Sequence, residues 1–155
     1  MDFNLTEDQL AFRDAARAFA EKSMAPHAAQ WDAEHIFPVE VMKQAGEMGF
    51  MGMYTPEALG GMGLSRLDTS VIVEELAMAC PSTAAFITIH NMATWMVASF
   101  ASDDLKQAFV PKLASGEWLA SYCLTEPGAG SDAVSLRTRA VRDGDSYVIN
   151  GSKMF

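Results

Sequence analysis

The chain has 155 residues, 50% of them hydrophobic and 20% charged, and a formal net charge of −9. That apolar content excludes an intrinsically disordered segment, because a chain of this size can hide roughly 68–70% of the surface it exposes when unfolded. The acidic balance disfavours nucleic acid and anionic membrane surfaces as partners; the one basic cluster, Arg137, Arg139 and Arg142, lies in an alternating stretch that reads as a solvated strand face.

Thr6 and Gln9 form a capping box with Leu5 and Leu10 at the staple positions, so a helix starts there and runs to about Met24. Phe12, Ala16 and Phe19 supply its buried stripe, and Pro26 ends the pattern. A second helix opens at Pro38 and closes near Gly46. Residues 49–64 are rich in glycine, methionine and proline without a period, which predicts a long loop of the functional kind. Helical spacing resumes near Leu67 with Val71, Glu75, Leu76 and Ala79, and Pro81 and Ser82 interrupt it. The helix at 87–100 is apolar nearly all round and reads as a core helix. Thr88, His90, Asn91 and Thr94 break its apolar run and argue against a membrane span. Ser102, Asp103 and Asp104 open a last helix that turns Leu105, Phe109 and Leu113 inward before Gly116.

Beyond Gly116 the period changes. Residues 118–124 are β-prone, 137–142 alternate, Asp143 and Gly144 signal a hairpin turn, and 147–150 return. Asn150 and Gly151 mark another turn, with 151–155 entering a further strand. The expected fold class is therefore α+β: an all-α helical domain over 1–116, then the first strands of an antiparallel β domain over 117–155. Two or three uncovered strands are marginal alone, so the chain reads as a piece of a longer protein. Cys80 and Cys123 fit neither a disulfide framework nor metal spacing, and no metal site is expected. With no signal or transit pattern at the start, a reduced, cytoplasmic setting follows.

The chemically informative stretch is YCLTEPGAGSD, residues 122–132. Gly128 and Gly130 are free to take positive φ and to let backbone amides approach a ligand, and Ser131 adds a hydroxyl. Tyr122, Leu124 and Thr125 offer an aromatic or apolar flank and one more hydroxyl, a combination suited to a flat heteroaromatic ring carrying a phosphate. A plain tight turn around Pro127 fits the same residues, and physics alone leaves the two readings open. No helix follows, so this is not the dinucleotide fingerprint. His27 and His35 read as surface histidines and His90 as a hydrogen-bonded core histidine. The 11 methionines read as core filler, with Met51 and Met53 placed in the long loop where they could abut a substrate tail.

YCLTEPGAGSD followed by DGDSYVINGSKMF resembles the flavin-contacting segment of the acyl-CoA dehydrogenases. LTEDQLAFRDAARAFAEK, GGMGLSRLDTSVIVEELA and ITIHNMATWM are similar to that family's helical domain, so the resemblance covers essentially the whole chain and is strongest to the isobutyryl-CoA branch. It implies an N-terminal helical domain, a middle β domain and a C-terminal helical domain absent from this chain, in a homotetramer binding FAD. It assigns Tyr122, Cys123, Leu124, Thr125, Gly130, Ser131 and Phe155 to the cofactor. Ser131, Thr88 and Met92 fall to the acyl-CoA substrate, and electron-transferring flavoprotein becomes the electron acceptor. The implied reaction is α,β-dehydrogenation by a glutamate base outside this chain, which leaves residues 1–155 inactive alone. Glu126 does not match that base and is expected to tether its own loop. Acyl-CoA oxidase-like or nitroalkane oxidase-like activity, or a non-catalytic assembly module of the same fold, are the alternatives.

Overall fold

A computed structural model describes residues 4–155, which divide into two compact units, 4–121 and 122–155. The first is helical. Helix α1, Glu7–Ser23, begins at the expected capping box, in which the Thr6 hydroxyl accepts the Gln9 amide and the Gln9 side chain accepts the Thr6 amide. A short helix, α2 (Ala28–Glu34), follows. Nothing in the sequence pattern announced it, because it buries no residue and has no side-chain cap. Helix α3, Val39–Glu47, lies where Pro38 and Gly46 placed it.

Helix α4, Arg66–Ala79, opens with a second capping box, Ser65 with Asp68. It packs along α1, where Arg17 donates in bidentate fashion to the nearly buried Glu75 at 2.7 and 2.9 Å and Gln9 donates to Asp68 at 2.8 Å. Helix α5 spans Pro81–Phe100. Pro81, expected to interrupt, instead occupies the first turn, where a missing amide costs nothing. The buried face of α5 carries His90, Asn91 and Thr94, while Ile89 and Phe100 point outward, so the helix is not buried all round. No helix of the described residues is long and apolar enough to cross a membrane.

Helix α6, Asp103–Ala114, buries Val110, Leu113 and Ala114. Leu105 and Phe109, expected to turn inward with Leu113, are half exposed. Steps of four residues advance about 40° beyond a full helical turn, so a 105–109–113 ridge winds around the helix and only its Leu113 end reaches the core. The loop 49–64 is present with a 3₁₀ turn at Glu57–Leu59, but it is not a surface loop throughout. Phe50, Met51 and Met53 are buried in the core beside Met42, Ile72, Leu76 and Ile87. Met51 and Met53 are fully buried, so their side chains fill the core.

The expected strand at 118–124 does not form: residues 119–125 carry no ladder among the described residues. β-propensity alone does not make a strand without a partner. Strands β1 (Arg139–Asp143) and β2 (Ser146–Asn150) pair antiparallel from Arg139↔Asn150 to Asp143↔Ser146. The turn is therefore Gly144 and Asp145, one residue later than expected, with Gly144 at φ 61°. Glycine at the first central position suits the right-handed twist of a two-residue hairpin. Every residue of both strands is exposed.

Candidate functional site

The two groups of candidate residues lie in different units. Thr88 and Met92 sit one turn apart on α5, both half buried. The Thr88 hydroxyl bonds the Ala85 carbonyl, and its side chain lines a groove of about 450 Å³ with Tyr54, Arg66, Val73 and Ala77. Arg66 stacks over the Tyr54 ring at 3.6 Å.

Asn91 and His90 hold the surroundings of that helix. The Asn91 carbonyl oxygen accepts the Met53 amide at 2.8 Å, and its amide nitrogen donates to Phe50 and Ile87 carbonyls at 2.8 and 2.9 Å, so one buried side chain fastens the long loop to α5. His90 Nε2 faces the Leu113 carbonyl at 2.9 Å, and Nδ1 accepts the Ala120 amide at 3.0 Å. That pairing requires a neutral ring protonated on Nε2. Burial pushes its pKa below the ordinary value, against the Leu113 and Ala120 contacts. The core-histidine reading of His90 holds.

In the second unit, Glu126 and Ala129 exchange backbone hydrogen bonds at 3.0 and 3.1 Å and close a turn over Pro127 and Gly128. Gly128 and Gly130 do not use the expected positive φ. Nor does packing demand glycine there, since an added Cβ would meet nothing within 4 Å at either position. Both leave the outer side of the turn open. Beside it, the side chains of Tyr122, Thr125 and Ser131 make no hydrogen bond among the described residues, and Ser131 is exposed. Free hydroxyls next to an open glycine turn are what a ring-and-phosphate ligand would engage. Cys123 and Phe155 are exposed; Leu124 is half buried.

Glu126 organises the unit. Its carboxylate accepts the Arg137 amide at 2.7 Å, the Thr138 amide at 3.0 Å and the Lys153 ammonium at 3.0 Å, tying the turn to the start of β1 and to 151–155. Its pKa is lowered to about 2, first by the Thr138 side chain, then by the Arg137 amide and Lys153. The Thr138 hydroxyl oxygen is buried without a hydrogen-bond partner, so the geometry leaves that residue's backbone amide as the group bonded to the carboxylate. Glu126 thus tethers its loop, as expected. Sequence reasoning missed Lys153 and Asn91. A carboxylate in a glycine turn needs a counter-charge, but nothing local says that the lysine stands 27 residues on.

Residues 6–117 match the family description "Acyl-CoA dehydrogenase, N-terminal domain". The chain belongs to the acyl-CoA dehydrogenase family. It is 53% identical over 151 residues to the mitochondrial isobutyryl-CoA dehydrogenase of Dictyostelium discoideum, covering 97% of this chain and 36% of that protein. Among solved structures it superposes on a glutaryl-coenzyme A dehydrogenase in complex with glutaryl-CoA with a TM-score of 0.92 at 35% identity, covering 99% of this chain and 40% of the other. It also superposes on PigA with FAD and proline with a TM-score of 0.92 at 29% identity, covering 100% of this chain and 41% of the other. The chain thus spans well under half the length of these relatives.

Proposed function

We propose that this chain is the front part of a flavin-dependent acyl-CoA dehydrogenase acting on a short branched acyl-CoA such as isobutyryl-CoA. Residues 1–116 form its helical domain and 117–155 open its β domain. The observation that carries this reading is the turn at 126–131, where two glycines required by neither backbone conformation nor packing stand beside unpartnered hydroxyls. The 53% identity to an isobutyryl-CoA dehydrogenase supports the branch.

FAD, when bound, supplies the acceptor for the hydride that leaves the β carbon of the thioester. Tyr122, Cys123, Leu124 and Thr125 flank its ring, Gly130 and Ser131 take its phosphate side, and Phe155 extends the flank. Ser131 also binds the thioester substrate, and Thr88 and Met92 line the acyl group. Glu126 is no general base. Its lone pairs already serve two amides and an ammonium, and a pKa of about 2 leaves it little affinity for a proton at neutral pH. In the complete protein, a homotetramer, electrons pass to electron-transferring flavoprotein.

The complete protein is expected to purify yellow and to reduce an artificial acceptor faster with isobutyryl-CoA than with straight-chain or dicarboxylic acyl-CoA. Replacing Ser131 by alanine should weaken cofactor retention or raise KM by about tenfold, the loss of one hydrogen bond to a charged group. A colourless protein sinks the flavoenzyme reading, and rapid reoxidation by oxygen turns it into an oxidase.

A further inference from the structure

The segments 122–125 and 151–155 are far apart in sequence, yet consecutive residues join them. The Lys153 ammonium donates to the Leu124 carbonyl at 2.9 Å and to the Glu126 carboxylate at 3.0 Å. The next residue, Met154, donates its amide to the Thr125 carbonyl at 2.9 Å. Residues 124, 125 and 126 are therefore each bonded by 153 or 154, and Phe155 follows directly. A second feature brings the same segment in: a Cβ on Gly151 would collide with the Thr138 side chain, so only glycine lets 151 run this close to the start of β1. Glu126 is buried and the Lys153 side chain is only 28% exposed, so the pair is partly shielded from solvent. Charge-assisted bonds of this kind are about twice as strong as neutral ones.

We propose that Lys153 is a positioning residue for the cofactor. Its ammonium, lodged between Leu124 and Glu126, holds the 151–155 segment against 122–125, so that both stretches assigned to the flavin form one edge before it arrives. The inference rests on the flavoenzyme reading above. Lys153 need not touch the cofactor, since two of its three donors are committed inside the unit. Without it, two separate stretches would have to be ordered during binding, and ordering at that moment weakens affinity. Met154 and Thr125 would keep only a single neutral backbone bond between the segments.

The test replaces Lys153 by methionine, which keeps the apolar stem and removes the donors, and by arginine, which keeps the charge, in the complete flavoprotein. FAD is titrated into apoprotein by fluorescence quenching, and the visible flavin spectrum is recorded alongside far-ultraviolet circular dichroism. Lys153→Met is expected to bind FAD about tenfold more weakly with a shifted absorption band, a change typical of lost preorganisation. Lys153→Arg should regain most of the affinity, and both apoproteins should keep wild-type secondary structure. Wild-type affinity and spectrum in Lys153→Met overturn the proposal. So does loss of secondary structure in that apoprotein, or no recovery in Lys153→Arg, since either makes the residue merely structural. Wild-type protein that takes up no FAD overturns the flavoenzyme reading itself, an outcome distinct from a flavin-binding wild type with an unaffected variant.

Discussion

The helical unit and the unit that follows it are held together by different forces. In the first, Met42, Met51, Ile72, Leu76 and Ile87 have no exposed surface, and burial of each such side chain contributes roughly 1.5–3 kcal/mol. In the second, Glu126 and Ala129 are the only buried residues, and Val141, Tyr147 and Ile149 on the hairpin are more than half exposed. Order there comes from the β1–β2 ladder and from the Glu126 carboxylate with its two amides and Lys153. Apolar burial is itself indifferent to ionisation, so the helical unit feels pH only through its few buried polar groups, His90 and the Arg17–Glu75 pair, whereas the second unit is built around a carboxylate. The contrast also explains where ligand chemistry sits. A unit organised by backbone and charge leaves amides and hydroxyls at its surface, while the helical unit has used most of its buried polar groups internally.

The largest expected effect separates the two by packing. Ile87→Ala should destabilise the helical unit by about 2–5 kcal/mol through lost transfer energy and an unfilled cavity, read by urea unfolding. Val141→Thr on the open hairpin should change stability by no more than about 0.5 kcal/mol. Equal effects would show that the hairpin is buried in solution and that the contrast is false.

Of comparable size is Asn91→Ala. It orphans the Met53 amide and the Phe50 carbonyl, at roughly 1–3 kcal/mol for each buried group. Hydrogen exchange at the Met53 amide should accelerate by more than at the helix interiors. If its protection were unchanged, the loop would be held by apolar contacts alone.

The smallest effect, and the sharpest, is with pH. Burial keeps the folded His90 pKa below its ordinary 6.5, so its contribution is complete above that pH and declines as pH falls below it. For Glu126, depressed from 4.5 to about 2, the contribution is complete above pH 4.5 and disappears between 4.5 and about 2. The stability of the helical unit should therefore fall first, while the Arg137 and Thr138 amides stay protected until more acid conditions. His90→Gln should flatten the first phase only. If that variant keeps the full slope near pH 6, the histidine is not its source.

Much of the helical unit was legible because its signals are local. The Thr6 and Gln9 box, proline ahead of α3 and the polar start of α6 each act within one turn of helix, and the structure realises all three. The failures are equally physical. Helix α2 buries nothing and so leaves no period to read. Which ridge of α6 faces inward depended on the helices it meets, and spacing alone favoured Leu105 and Phe109 over Val110 and Ala114. The 126–131 turn was visible as a glycine-rich loop, but the use of its glycines was not: they leave open space and do not supply left-handed backbone.

By itself, the sequence determined the class of fold, the order of the major helices, the hairpin and the stretch that bears the candidate site, since these follow from periodicity, caps and turn chemistry acting over a few residues. Only the tertiary structure decided that Asn91 fastens a loop 38 residues away. It likewise joined His90 to Ala120 and paired Glu126 with Lys153. Such pairings depend on where the chain returns in space, and a polar side chain carries no local mark of the distant partner that will satisfy it.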